Sequence, residues 1–113
     1  MKSVQELISQ EPLYFNIFSN KQDISNEFNE SLNDNINILF AWYEYQDYSG
    51  DAIVIYEQDG VLYEVNGGHC SCYGLEGQWS PQTLELRELE QRLTKGNFGE
   101  YSGFKNELIE FFI

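Results

Sequence analysis

The chain has 113 residues and carries 19 Asp and Glu against 6 Lys and Arg, which gives a formal net charge of -13. This length predicts one domain, and a hydrophobic content of 42% argues against disorder. The sequence has no apolar run long enough to cross a membrane and no secretory-signal pattern at its start, so we expect a cytoplasmic location. A surface with this much negative charge repels DNA, RNA and anionic lipid, so direct binding to nucleic acid or to a membrane is disfavoured.

The first third of the chain predicts helical or irregular structure. Apolar residues in segment 4–8 give one short amphipathic turn, which Pro12 interrupts. A second helix is predicted over Asp23 to Leu32, because Ile24, Phe28 and Leu32 recur every fourth position with carboxylates between them. This helix would bury one stripe and present an acidic back to water.

The middle of the chain predicts strands. Segments 36–46, 51–58 and 61–66 are rich in β-branched and aromatic residues and are bounded by turn residues. Asp59-Gly60 suits a two-residue type I′ hairpin, since glycine accepts positive φ freely and aspartate tolerates it. The expected fold class is α+β, with a three-stranded antiparallel meander packed against several short helices.

The hairpin turn also predicts the register of the last two strands. Tyr56 should lie opposite Tyr63, and Val54 opposite Val65, on the core face of the sheet. The other face would carry Glu57 and Glu64 within a diagonal step of each other. Such like charges would be relieved only by solvent or by a cationic partner.

Two helices are predicted towards the C-terminus. Ser80 as N-cap and Pro81 at the first helical position would begin one helix, which Lys95 and Gly96 would end. Its buried stripe would be formed by Leu86, Leu89 and Leu93. Ser102 would cap the last helix, whose buried side would be formed by Phe104, Leu108 and Phe111 or Phe112.

The least ordinary segment is GGHCSCYGLEGQW, residues 67–79. His69, Cys70 and Cys72 supply three soft ligands, so a zinc site would need a carboxylate such as Glu64 or Glu76 as the fourth. A cysteine nucleophile and a phosphate-binding glycine loop fit the spacing less well. The favoured interpretation is structural: the glycines make tight turns, and Cys70, Cys72, Tyr73 and Trp79 fill the core beneath them. No catalytic signature is present, so neither an enzyme nor a bound metal or cofactor is expected.

This segment resembles one in small, acidic, uncharacterised proteins of bacteriophages and prophages. The resemblance covers Tyr43 to Trp79 at most and rests on the run VLYEVNGGHCSCYGLEGQW. It implies a phage origin and transfers no catalytic residue. Many short acidic phage proteins target host nucleic-acid enzymes, and some of them occupy DNA-binding surfaces, so a phage origin is compatible with an anti-defence function.

The distribution of charge indicates a partner of opposite sign. The stretch from Gln22 to Leu86 contains many carboxylates and no Lys or Arg. We therefore expect a DNA-mimicking inhibitor, for example an anti-CRISPR protein, that binds the basic nucleic-acid-binding surface of a host defence nuclease or CRISPR effector. The predicted contact residues are Glu27, Glu30, Asp34, Glu44, Asp47, Asp51, Glu57, Asp59 and Glu64, with Tyr48 as a possible anchor.

Three alternatives remain open at this stage. Small size and acidity fit an immunity protein that neutralises a nuclease toxin equally well. A metal-binding domain could be built on the His69, Cys70 and Cys72 loop. The net charge could also serve solubility alone, in a structural or assembly factor that associates through aromatic residues.

Overall fold

The chain folds into a mixed β-sheet with short helices on both of its faces, as described by a computed structural model for residues 1–46, 49–70, 74–95 and 102–113. This is the α+β class expected from the sequence. The helices are α1 (Val4–Ser9), α2 (Lys21–Phe28), α3 (Leu86–Thr94) and α4 (Ser102–Phe112). The strands are β1 (Leu13–Asn16), β2 (Asn37–Gln46), β3 (Ser49–Gln58), β4 (Val61–His69) and β5 (Gln82–Thr83).

The sheet has five strands in the order β1-β2-β3-β4-β5. The predicted antiparallel meander is present as β2, β3 and β4, but it forms only the middle of the sheet. β1 pairs with β2 in parallel, and the two-residue β5 pairs with β4 antiparallel. Neither edge strand was predicted, because each is too short to show alternation of apolar and polar residues.

The hairpin between β3 and β4 follows the predicted geometry. Asp59 and Gly60 have φ angles of 53° and 84°, so both central residues are left-handed, as a type I′ turn requires. Tyr56 lies opposite Tyr63 and Val54 lies opposite Val65, which confirms the predicted register. The turn therefore fixes which side chains of β3 and β4 share a face.

Both faces of the sheet are covered, contrary to the expectation of a single core face. On one side, the α4 face, strand residues pack against α1, α3 and α4; on the other, the α2 face, they pack against α2 and the segment after β4. The α4 face includes Phe40, Ile53, Ile55 and Leu62, which meet Leu7, Leu89, Leu93, Leu108, Phe111 and Phe112. The α2 face includes Tyr43, Val54, Tyr56 and Val65, which meet Phe18, Ile24, Phe28 and Leu75.

The N-terminal helices differ from the sequence expectation mainly in their bounds. Ser3 and Glu6 form a capping box that begins α1. The Asn20 side chain caps α2, which ends at Phe28 because Asn29 adopts the left-handed conformation with φ of 55°. Leu32 therefore lies beyond the helix, although it still packs against the α2-face core.

The start of the third helix was predicted too early. Gln82 and Thr83 pair with β4, and the Leu84 N–H donates to the Leu62 carbonyl at 2.9 Å, so this segment is extended. The helix α3 begins only after Glu85, and it ends near Lys95 as expected. α4 occupies the predicted C-terminal position, with Leu108, Phe111 and Phe112 buried, but Ser102 is its first helical residue and not its N-cap. The side chain of Phe104, also predicted to be buried, lies outside the described part of the chain. Along the described ranges, no helix combines the length and apolar character needed to cross a membrane.

Candidate protein-binding surface

The nine carboxylates predicted to bind a partner do not form one continuous patch. Glu57 and Glu64 are buried, and Glu27 is half-buried. Asp47, like Tyr48, lies outside the described residues. The exposed members of the predicted set are Glu30, Asp34, Glu44, Asp51 and Asp59.

Glu64 is neutralised within the protein. The residue is only 7% exposed, and its carboxylate accepts two hydrogen bonds from the Arg92 guanidinium, Nη1 to Oε1 at 2.7 Å and Nη2 to Oε2 at 2.9 Å. Asn66 Nδ2 donates a third at 3.0 Å. Burial raises the pKa of Glu64, but the hydrogen bonds and charge of Arg92 outweigh it, so the pKa lies below its ordinary value. The expectation that only solvent or a partner would relieve this charge is therefore wrong.

Glu57 stabilises the hairpin that it precedes. It is 7% exposed, and its Oε2 accepts a 2.7 Å hydrogen bond from the Gly60 N–H within the turn. Its Oε1 accepts another from Asn37 Nδ2 at 2.7 Å, across the β2–β3 pair. A carboxylate satisfied in this way has little surface to offer a partner, so Glu57 is not part of the exposed acidic surface.

Glu44 and Asp51 form the acidic pair with the simplest geometry. They lie directly opposite each other in the β2–β3 register, and both are exposed. Cross-strand partners share one face of a sheet, and like charges placed there are destabilising by a few tenths to about 1 kcal/mol. Within the ranges that the structure describes, neither residue forms an ion pair. The position beside Asp51 on β4 is Gly68, which has no side chain that could compensate.

A second acidic group lies at the opposite end of β3. Asn35 Nδ2 is 3.4 Å from both carboxylate oxygens of Asp59, which brings the exposed Asp34 loop next to the hairpin. Asp59 directly follows β3, and the eight residue steps from Asp51 to Asp59 span about 26 Å at about 3.3 Å per residue. Lys21 lines the same cavity as Asp34, so this second group is not free of cations.

Two of the six basic side chains, Lys2 and Lys21, are bound to backbone carbonyls. Lys21 Nζ donates to the Asn33 and Ile36 carbonyls at 2.7 and 2.8 Å. Lys2 Nζ donates to the Phe111 and Glu110 carbonyls at 3.0 and 3.2 Å, where it caps the C-terminus of α4. These lysines hold loops and helix ends together, and within the described ranges neither forms an ion pair with Glu44 or Asp51.

The glycine-rich segment has a structural role that the sequence only partly predicted. Gly67 lies within β4, where a Cβ would stand 2.9 Å from Leu75 Cδ2, so glycine permits the close approach of that buried leucine. The Gln78 amide pairs with Gly68 as a strand residue would: Oε1 accepts from the N–H and Nε2 donates to the carbonyl, both at 2.8 Å. Nε2 also donates to the Gly74 carbonyl at 2.7 Å.

The other predictions for this segment have mixed outcomes. Trp79 is half-buried, stacked on Tyr56 and edge-on to Phe28, as a core role requires. Cys70 is exposed, so the prediction that it fills the core is wrong. Cys72 and Tyr73 lie outside the described residues. In the part of the chain that is described, no group of three or more His, Cys, Asp or Glu side chains could hold a metal ion.

Two further exposed carboxylates, Glu11 and Glu110, were not among the predicted contact residues. They line an open cavity of about 410 Å³ with Gln10, Leu13 and Phe111, beside the first strand of the sheet. No sequence pattern pointed to them, because β1 was not predicted and the two residues are far apart in the chain.

Comparison with known proteins gives no relative from which a function could be transferred. No family model, no curated protein and no solved structure matches the chain. The function is therefore argued from the surface and the contacts described above.

Proposed function

We propose that this protein is a non-enzymatic, phage-encoded inhibitor that acts in the host-cell cytoplasm. It binds the basic nucleic-acid-binding surface of a host defence nuclease or CRISPR effector, and its carboxylates occupy positions that nucleic-acid phosphates would otherwise fill. A groove that binds phosphates attracts any rigid surface of similar potential, which speeds association.

The observation that carries the proposal is the unpaired charge of Glu44 and Asp51. β2 and β3 place these two exposed carboxylates directly opposite each other. The stability of the fold alone would favour a pair of opposite charges or of polar residues at these positions. A cationic groove would remove this repulsion on binding. The buried residues Glu57 and Glu64 are left out of the proposed contact surface because intramolecular hydrogen bonds already satisfy them.

The composition of the whole chain supports the sign of the partner. A net charge of -13 repels nucleic acid and attracts a basic protein from a distance, and this attraction weakens as salt increases. Lys2 and Lys21 donate to backbone carbonyls, and among the described residues no ion pair joins a basic group to Glu44 or Asp51.

The test is binding to a panel of purified defence nucleases and CRISPR effector complexes at about 50 mM and about 500 mM salt. We expect at least one target whose binding weakens strongly with salt and competes with its nucleic-acid substrate. The Glu44→Gln/Asp51→Asn variant should bind that target about tenfold more weakly, because it removes two interface charges.

The matched control is Glu85→Gln/Glu88→Gln, which changes the net charge equally at exposed residues near the start of α3. It should bind within about twofold of the unmodified protein, since it retains the proposed contact. The proposal fails if no target is found, if binding ignores ionic strength, or if both variants weaken it equally.

A further inference from the structure

The sheet has two edges, and they differ in how well their backbone groups are covered. At one edge, β4 pairs with β5 at Tyr63 and Glu64, and the Gln78 amide pairs with Gly68 further along. At the other edge, β1 pairs with β2 on one side only, and no strand among the described residues pairs with its outer side. An edge strand in this position presents N–H and C=O groups that can pair with another extended chain.

Cavities flank β1 on both faces of the sheet. Leu13 packs with the α4-face core and Tyr14 with the α2-face core, as alternation along a strand requires. Leu13 lines the cavity of about 410 Å³ with Phe111, whereas Tyr14 lines a cavity of about 480 Å³ with Ile36 and Ile38. A strand added beside β1 would direct successive side chains alternately towards these two cavities.

The charges around the first cavity select the side chain that it would accept. Leu13 and Phe111 provide apolar walls, and the exposed acidic residues Glu11 and Glu110 line the same cavity. Lysine and arginine bury an aliphatic stem and keep a charged head in contact with anions or water. Lys2 Nζ donates to Gln10 Oε1 and to the Glu110 and Phe111 carbonyls, so one cation lies beside this cavity and the two acidic residues outnumber it.

We propose that the outer edge of β1 binds an extended, Lys- or Arg-containing segment of the partner protein by strand addition. The partner's backbone pairs with β1, and one basic side chain enters the cavity between Glu11 and Glu110. A second copy of this chain is a poor occupant, because each copy has a charge of -13 and would bring the same carboxylates to the contact. The basic character of the partner rests on the proposed function, but the binding mode is tested separately.

The experiment uses a fluorescein-labelled peptide with the sequence Lys-Val-Lys-Val-Lys-Val and the full-length protein, with binding followed by fluorescence anisotropy. The comparison peptide has the same sequence, but every second backbone nitrogen is methylated. One edge of the extended peptide then cannot donate hydrogen bonds, whereas the charge of the peptide is unchanged. We expect methylation along the edge that faces β1 to weaken binding about tenfold, and both methylation patterns are tested. This control alters the peptide only, so the fold of the protein is not at risk.

Variants of the protein locate the contact. Glu11→Gln/Glu110→Gln should weaken binding of the unmethylated peptide about tenfold, whereas Glu85→Gln/Glu88→Gln should leave it within about twofold. Equal binding of the methylated and unmethylated peptides would overturn strand addition, because binding would then depend on charge alone. No binding of either peptide, or equal weakening by both variants, would overturn it as well.

The results separate this inference from the proposed function. If the nuclease panel yields a target that depends on Glu44 and Asp51 but the peptide fails these tests, strand addition at β1 is wrong and the proposed function stands. If the peptide passes them and no nuclease or effector binds, the β1 site stands and the proposed function is wrong.

Discussion

Arg92 on α3 and Glu64 on β4, which are 28 residues apart, form two hydrogen bonds of 2.7 and 2.9 Å. Glu64 is 7% exposed, so Arg92 is what allows this carboxylate to lie on the α4 face of the sheet. Replacing Arg92 with leucine should lower the free energy of unfolding by about 3 kcal/mol, because the buried carboxylate loses its partner. Urea denaturation measures this change.

The double variant Arg92→Leu/Glu64→Leu provides the control for that prediction. It removes both charges and should recover most of the stability lost by Arg92→Leu alone, because apolar pairs often replace buried ion pairs at little cost. A double variant less stable than the single one would contradict the assignment of the loss to the unpaired carboxylate.

Glu64 should also contribute to the pH dependence of stability. Its pKa is lowered in the folded protein despite burial, because Arg92 and Asn66 bond the ionised form. The stabilisation is therefore complete above the unfolded pKa of about 4.3 and is lost as the pH falls through the lower folded value. Glu64→Gln should lose less stability than the unmodified protein between about pH 5 and pH 2. Equal losses in urea titrations across that range would contradict the proposed pKa shift.

The β3–β4 hairpin was predictable because its information is local. Asp59-Gly60 specifies the turn, and the turn fixes the opposite positions of Tyr56 and Tyr63. The burial of Glu64 was not predictable, since it depends on a helix that begins at Leu86 and on which face that helix covers. The position of Arg92 is a tertiary fact that no local pattern contains.

The candidate surface was predictable in composition but not in arrangement. The absence of basic residues between Gln22 and Leu86 correctly marks a region with exposed carboxylates, among them Glu44 and Asp51. Their opposition follows from the β2–β3 register, which the connecting loop sequence did not specify. The open edge at β1 could not be inferred at all, because a four-residue parallel strand has no distinctive pattern.

The stability of the protein should be sensitive to replacement of the Gln78 amide nitrogen by oxygen. In Gln78→Glu, an oxygen replaces Nε2 and faces the Gly68 and Gly74 carbonyls, which it cannot bond. We expect the free energy of unfolding to fall by about 2 kcal/mol, with faster hydrogen exchange at Gly68. The same substitution at exposed Gln91 on α3 should change stability by less than about 0.5 kcal/mol. Equal effects at both positions would mean that the Gln78 amide does not hold the strand edge.

Two adjacent glycines of β4 provide a matched pair for testing the close approach to Leu75. An alanine Cβ at Gly67 would lie 2.9 Å from Leu75 Cδ2, whereas at Gly68 the nearest atom would be 3.9 Å away. Gly67→Ala should therefore lower the free energy of unfolding by about 1–3 kcal/mol through overpacking. Gly68→Ala should be neutral or slightly stabilising, because alanine reduces the entropy of the unfolded chain. A thermal unfolding series that ranked the two variants in the opposite order would contradict the packing argument.

The Glu44 and Asp51 pair should show opposite effects on stability and on binding. Replacing both with threonine removes the cross-strand repulsion and introduces β-branched residues that favour strands, so the free energy of unfolding should rise by about 0.5–1 kcal/mol. The gain should shrink between about 50 mM and about 500 mM salt, because salt already screens exposed charges. Urea denaturation at both salt concentrations measures it, and the same variant should bind the basic target more weakly. A loss of stability in low salt would show that the carboxylates support the fold, and the argument that they are held for a cationic partner would lose its basis.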